Sequence, residues 1–143
     1  TEAVLRYLSP KLGFQQTDWI PPEVRGEQGI RRLTIGNGTL QVHAAIVSGL
    51  HNAALLMDRV RRGEEQLDLI EVMACPGGCV MGGGQPADVY DVYRNRRDRR
   101  AGLYHADADS TLKCSQDNPQ AAALYDTFLK GQAHTLLHRN FDN

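Results

Sequence analysis

The pattern that most constrains the fold is a strand, a helix and a second strand within residues 40–73. Apolar residues recur with helical spacing from Leu50 to Val60, between Ser48 as a candidate N-cap and Gly63 as a C-terminal stop. Strand-like runs flank this helix at residues 39–47 and 67–73. Because this length is typical of a right-handed parallel crossover, the sequence predicts an α/β fold built on a βαβ unit.

An additional strand and several helices are predicted around this unit. Residues 30–35 are strand-like, and Asn37-Gly38 is a hairpin signal that joins them to the next strand. An irregular connection is expected at residues 15–29, where Trp, Pro and Gly occur without a period. Helices are predicted over residues 1–11, from Pro86 to about Arg100, from Asn118 to Gly131 with Leu124, Tyr125, Phe128 and Leu129 packed, and from Gln132 to about Arg139.

Composition restricts the kind of protein this is. The 143 residues fit one domain, and 16 basic residues nearly balance 17 acidic ones, so no overall charge favours nucleic acid or an anionic membrane. No apolar run approaches the roughly 20 residues that a membrane span needs. With three cysteines and no visible export signal, the sequence predicts a reducing, cytoplasmic setting. The first residues look like those of a chain cut within a domain.

The densest chemical signal is residues 71–86, which contain Cys75, Cys79 and five glycines. This stretch begins in the last predicted strand and continues past its carboxyl end, where ligands gather in parallel sheets. Glycine lets backbone approach a bulky inorganic ligand or turn its amides towards it. Thiolates are the ligands of iron–sulfur clusters, so the stretch is interpreted as an iron–sulfur loop.

Counting ligands limits this interpretation. A Cys-x-x-x-Cys pair alone is also compatible with half a zinc site or with a reversible disulfide. An iron–sulfur cube usually takes four thiolates, whereas the chain has three cysteines in all. At least two ligands are therefore expected from outside this chain.

The residues of this loop, Glu-Val-Met-Ala-Cys-Pro-Gly-Gly-Cys-Val-Met-Gly-Gly-Gly-Gln-Pro, resemble the third cysteine motif of iron-only (di-iron) hydrogenases. The likeness covers nearly the whole chain, through residues 22–26, 49–53, 118–119, 124–125 and 133–138. It implies that residues 1–143 form the C-terminal half of the hydrogenase catalytic domain. Residues 71–86 would be the cluster-binding loop and residues 118–143 the C-terminal helices.

The resemblance also implies an activity and a cofactor. Iron-only hydrogenases reduce protons or oxidise hydrogen at the H-cluster, a 4Fe-4S cube joined to a di-iron unit. By motif position Cys75 resembles a cube ligand, Cys79 resembles the cysteine that joins cube and di-iron unit, and Met73 matches a methionine beside the irons. The glycines expected to let backbone lie against the cofactor are Gly77, Gly78, Gly82, Gly83 and Gly84.

Two other cysteine motifs of the family are absent from this sequence and would lie upstream of Thr1. The chain alone is therefore expected to be inactive, with the upstream part of the same hydrogenase as its partner and ferredoxin or NAD-linked subunits as electron carriers. The alternative is a hydrogenase-like iron–sulfur assembly factor, and a small zinc or redox module is a third possibility.

Several other residues are given no chemistry. Cys114 is interpreted as a small apolar residue, and the histidine pair His134 and His138 as packing or surface residues. Glu71 is left unassigned between a proton path and an ordinary hydrogen-bonded carboxylate. The arginines of residues 94–100 are interpreted as a solvated helix end that suits the helix dipole, with a docking patch for an acidic electron carrier as the sharper alternative.

Overall fold

A computed structural model of the protein describes residues 1–13, 24–26, 28–36, 41–86 and 91–138. Short 3-10 turns lie at Ser9–Leu12, Cys79–Met81 and Ser115–Asp117. The longer elements in these ranges are α1 (Glu2–Leu8), β1 (Ile30–Gly36), β2 (Gln41–Ser48), α2 (Leu50–Arg61), β3 (Leu69–Met73), α3 (Val92–Asp109), α4 (Pro119–Asp126) and α5 (Ala133–Leu137).

The three strands form one sheet in the order β1-β2-β3. β1 is antiparallel to β2, with Ile30 opposite Val47, and β2 is parallel to β3, with Ser48 opposite Met73. Helix α2 connects the two parallel strands. The predicted α/β class, the βαβ unit and the preceding antiparallel strand are confirmed, while the predicted Asn37-Gly38 turn and most of the irregular connection lie outside the described residues.

The core lies on both faces of the central strand β2. On one face Ala44 and Ile46 pack with Leu5 of α1, and on the other Ala45 and Val47 pack with Leu56 of α2. Alternate residues of a strand point to opposite faces, so a strand covered on both sides is a continuous apolar run. Full burial of a Val, Leu or Ile side chain contributes about 2 kcal/mol to the free energy of unfolding.

Helix α2 begins one residue later than the sequence suggests. Ser48 is the last residue of β2, so its prediction as N-cap is wrong; Gly49 occupies the cap position without a side-chain hydrogen bond. Gly49 has φ 90°, and its N–H donates to the carbonyl of Met73 at 2.8 Å. The sheet register therefore takes Ser48, and glycine makes the turn into the helix. Gly63, at φ 73°, ends α2 as predicted.

Helix α3 ends about nine residues later than predicted. Its N-cap is Asp91, whose carboxylate accepts the N–H of Arg94 at 2.9 Å, and it ends at Asp109 rather than near Arg100. The predicted apolar face is not formed at Val92, which is exposed, and Val89 lies outside the described residues. Because the arginines of residues 94–100 lie in the first half of α3, the interpretation of a helix end with a favourable dipole is wrong.

The C-terminal helices are shorter and more open than predicted. Asn118 caps α4 as expected, accepting the N–H of Gln120 at 3.0 Å. α4 ends at Asp126 because the backbone of Thr127 leaves helical geometry, and the Thr127 hydroxyl donates to the carbonyl of Ala123. Of the four residues predicted to pack, Leu129 is buried and Leu124, Tyr125 and Phe128 are exposed. The predicted last helix is α5; Arg139 lies outside the described residues.

A charge network joins helix α1 to helix α3. Both terminal nitrogens of Arg6 donate to the carboxylate of Asp107 at 2.7 Å, and Arg25 donates to Asp107 at 2.8 Å and to Glu2 at 2.8 and 2.9 Å. The hydrogen bond from Arg6, followed by that from Arg25, holds the pKa of Asp107 well below its usual range. Bidentate arginine–carboxylate pairs fix orientation as well as contributing energy, so the network sets how α3 lies against the N-terminal helix.

Candidate metal centre

The cysteine loop, residues 74–86, begins at the carboxyl ends of the two parallel strands. Met73 and Ser48 are the last residue pair of β3 and β2. The loop then turns back at once, since the N–H of Gly78 donates to the carbonyl of Cys75 at 3.0 Å. Cys79 opens the 3-10 turn Cys79–Met81. The predicted location past the end of β3 is confirmed.

Gly77 and Gly78 make the reversal between the two cysteines. Their φ angles are 83° and 80°, which L-residues with a side chain adopt only at a cost. A Cβ atom at Gly78 would lie 3.0 Å from the sulfur of Met73, and one at Gly77 would lie 3.0 Å from Cδ of Arg96. Met73 therefore packs against the loop, and the loop sits close because glycine leaves the space.

Both loop thiols are free. Cys75 is half-buried and Cys79 is exposed, and no disulfide joins them. A Cβ atom at Gly82 would lie 3.6 Å from the sulfur of Cys75, whereas next to Gly83 and Gly84 the space is open. Glycine thus keeps side chains away from the Cys75 sulfur and from the second half of the loop. This arrangement fits a bulky group held by two thiolates.

The two thiols are only part of a ligand set. Within the described part of the chain, no group of three or more His, Cys, Asp or Glu side chains is placed to hold a metal. Cys114, at 3% exposure, is buried as predicted for a small apolar residue. A four-thiolate iron–sulfur group fits Cys75 and Cys79 as two of its four ligands.

The other candidate residues make ordinary contacts. Burial pushes the pKa of Glu71 up, but hydrogen bonds from Thr1 outweigh it and leave the pKa below its usual value. The rings of His134 and His138 stack with their centroids 4.6 Å apart. Both residues are exposed, which agrees with their prediction as surface residues.

Two arginines of α3 contact the loop and were missed by the sequence interpretation. Arg99 donates to the carbonyls of Val80 and Pro86, and Arg96 packs over Gly77. The arginine cluster itself was the available signal. A helix that stops near Arg100, as the sequence predicts, places this cluster at a solvated helix end and away from the loop.

Comparison with known proteins identifies the family. Residues 1–83, more than half of the chain, match the family described as iron only hydrogenase large subunit, C-terminal domain. The chain belongs to this family. Residues 93–143 match a second family, the iron hydrogenase small subunit. We refer to these parts as the large-subunit segment and the small-subunit segment; the resemblance found in residues 71–86 is confirmed.

The similar proteins include several hydrogenases. The NADP-reducing hydrogenase subunit HndD of Solidesulfovibrio fructosivorans is 37% identical over 123 residues, which are 83% of this chain and 21% of that protein. The periplasmic [Fe] hydrogenase large subunit of Nitratidesulfovibrio vulgaris is 41% identical over 59% of this chain and 20% of its own length. The chain therefore spans about a fifth of these relatives.

Solved structures agree with the sequence comparison. One structure of the [FeFe]-hydrogenase HydA1 from Chlamydomonas reinhardtii superposes with a TM-score of 0.68 at 31% identity, covering 90% of this chain and 39% of that one.

Iron–sulfur assembly proteins are also similar. The cytosolic iron-sulfur assembly component 3 of Bos taurus is 32% identical over 98% of this chain and 30% of its own length. In the described ranges no helix is both long and apolar enough to cross a membrane.

Proposed function

We propose that the protein is part of an iron-only hydrogenase that interconverts protons and hydrogen at an H-cluster. The observation that carries the proposal is a free thiol pair, Cys75 and Cys79, in a glycine-lined loop at the carboxyl edge of the sheet. This loop lies within the segment that matches the hydrogenase large subunit. When bound, the cluster supplies the redox chemistry; the chain supplies two ligands and their surroundings.

Each residue has a role in this proposal. Cys75 would be a ligand of the 4Fe-4S cube, and Cys79 would be the ligand shared with the di-iron unit. Met73, which packs against Gly78, covers the side of the site next to the sheet. The open space beside Gly83 and Gly84 admits the bulk of the cofactor, and Gly82 leaves the Cys75 sulfur accessible.

The remaining ligands come from other parts of the hydrogenase. Since the chain has three cysteines and one of them is buried, it supplies at most two thiolates to the cluster. A polypeptide of these 143 residues alone therefore does not turn over hydrogen. The proposed partners are the rest of the hydrogenase and an electron carrier, either ferredoxin or an NAD-linked subunit. The cytoplasmic location stays a prediction, and one relative is named as periplasmic.

The alternative proposal is an iron–sulfur assembly factor without hydrogenase activity. The observation in its favour is the likeness of such a protein to 98% of this chain. Against it, the relatives with higher identity are hydrogenases, at 37% and 41%.

Infrared spectroscopy of the native protein that carries this sequence, purified without oxygen, separates the two proposals. A hydrogenase shows bands of carbon monoxide and cyanide together with more iron than one cube holds. A cube without these bands supports the assembly factor, and zinc in place of iron contradicts both.

A further inference from the structure

The small-subunit segment forms hydrogen bonds with the cysteine loop through Arg99. From the middle of α3, Arg99 donates one hydrogen bond to the carbonyl of Val80 at 3.2 Å and another to the carbonyl of Pro86 at 2.5 Å. Val80 directly follows Cys79, and Pro86 is the last residue of the cysteine loop. One planar guanidinium thus fixes the distance between the two ends of residues 80–86.

A second arginine meets the loop on the other side of Cys79. Arg96 lies three residues before Arg99, so both side chains are on the same side of α3. Its Cδ lies where a Cβ atom at Gly77 would be only 3.0 Å away. Helix α3 therefore contacts the loop both before and after Cys79.

Within the described part of the chain, the loop residues held by Arg99 make few other hydrogen bonds. A 3-10 turn leaves its last carbonyls without partners inside the turn, and Arg99 binds that of Val80. The backbone hydrogen bonds of these residues are local, from the Gly82 N–H to the Cys79 carbonyl and from the Gln85 N–H to the Gly82 carbonyl. Gly83 and Gly84 have open space where side chains would be. A glycine-rich span of this kind has much conformational freedom to lose.

We propose that Arg99 is a positioning residue for Cys79. By joining the carbonyls of Val80 and Pro86, it sets the path of the loop after Cys79 and so the direction in which this thiolate meets its metal. A residue of the small-subunit segment thereby shapes a ligand of the large-subunit segment. The inference rests on the proposed function as far as the metal is concerned, but the loop geometry can be tested without it.

Hydrogen exchange of the loop amides tests the geometry. In Arg99→Met, the Gly82 and Gln85 N–H groups are expected to exchange about tenfold faster, because a charge-assisted hydrogen bond is worth roughly that factor or more. Arg97→Met is the matched control, since Arg97 is exposed and pairs with Asp98 on the same helix. Exchange of the β2 amides reports whether the variant remains folded. If β2 stays protected and the loop amides exchange as in the unaltered protein, Arg99 does not hold the loop.

Should Arg99→Met fail to fold, Arg99→Lys provides the second variant. The lysine ammonium keeps the charge but lacks the planar fork that spans two carbonyls. The loop amides are therefore expected to exchange about threefold faster, a rate between those of the unaltered protein and Arg99→Met. Loop exchange equal to that of the unaltered protein in Arg99→Lys contradicts the need for the two-carbonyl contact.

The electron paramagnetic resonance spectrum of the native protein tests the consequence for the metal. Arg99→Met is expected to shift the g values of the cube signal, with a smaller shift in Arg99→Lys and none in Arg97→Met. An unchanged spectrum in Arg99→Met overturns the positioning role. An unaltered protein without any iron signal overturns the proposed function instead, while hydrogen exchange still decides whether Arg99 holds the loop.

Discussion

The sheet of the large-subunit segment and the C-terminal helices of the small-subunit segment are stabilised in different ways. In the sheet, residues 44–47 of β2 are almost completely buried between α1 and α2. In and around α4 and α5, by contrast, Phe128 is 65% and Leu136 52% exposed. Among the described residues, polar contacts join the two segments, from Asp107 to Arg6 and Arg25 and from Arg99 to the cysteine loop.

This difference shows which part of the chain buries its own apolar residues. The sheet buries its own apolar residues and holds the beginning of the cysteine loop at a fixed edge. The small-subunit segment meets the large-subunit segment through arginine contacts, and those of Arg99 end on the cysteine loop. We therefore expect substitutions in the sheet to change global stability and substitutions at the arginine contacts to change the relation between the segments.

The largest effect is expected in the sheet core. Leu56→Ala removes a side chain with 0% exposure and should lower the free energy of unfolding by about 3 kcal/mol. Leu55→Ala, at 47% exposure on the same helix, and Leu136→Ala in α5 should each cost less than about 0.5 kcal/mol. Urea denaturation measures all three. An equal cost for Leu136 and Leu56 would show that the helices have a core of their own.

The next largest effect is expected at the junction of the segments. Asp107→Asn removes the carboxylate that two arginines share, and Arg6 is largely buried, so the loss should be about 2 kcal/mol. Asp109→Asn, two residues on and exposed, is the matched control and should be nearly neutral. Urea denaturation followed by far-UV circular dichroism measures both. A neutral Asp107→Asn would mean that the network does not hold the segments together.

Within the cysteine loop, alanine substitutions at Gly78 and at Gly83 should differ in their cost in stability. Gly78→Ala places a side chain on a backbone with φ 80° and brings its Cβ atom to 3.0 Å from the Met73 sulfur. It should lower the free energy of unfolding by about 1.5 kcal/mol. Gly83→Ala meets open space and should cost less than about 0.5 kcal/mol. Thermal unfolding of both variants measures the difference. Equal costs would contradict the described turn between the cysteines.

The smallest effect concerns pH. Since hydrogen bonds from the arginines lower the pKa of Asp107 in the folded state, its stabilising contribution is present above the unfolded pKa of about 4 and is lost as pH falls below that value. Between pH 5 and pH 3 the loss from this group should be about 1 kcal/mol. Urea titrations at both pH values measure it. Asp107→Asn should lose about 1 kcal/mol less than the unaltered protein between these pH values. If Asp107→Asn shows the same pH dependence as the unaltered protein, other carboxylates cause the effect.

Much of the sheet was predictable from the sequence because its signals are local and periodic. The Leu50–Val60 spacing and the flanking apolar runs suffice for the βαβ unit. The cysteine loop was found through its residue types, and its place follows from the parallel sheet. In the cap of α2, the register of Ser48 against Met73 outweighed the capping preference of serine.

The errors lie where tertiary contacts decide. Helix α3 extends to Asp109, and its Asp107 accepts hydrogen bonds from Arg6 and Arg25, which lie far away in the sequence; no local pattern contains this information. The exposure of Leu124 and Phe128 likewise depends on what surrounds α4 rather than on its own spacing. Arg96 and Arg99 were missed as site residues because a contact across more than ten residues has no periodic signal.

The most direct test of the central claim is the iron content of the native protein and of three single cysteine variants. Cys75→Ser and Cys79→Ser should each lose most of the bound iron, because each removes a proposed cluster ligand. Cys114→Ser should retain its iron, because this buried thiol lies outside the loop. Full iron in both loop variants, or its loss in Cys114→Ser alone, would contradict the assignment of the loop as the cluster site.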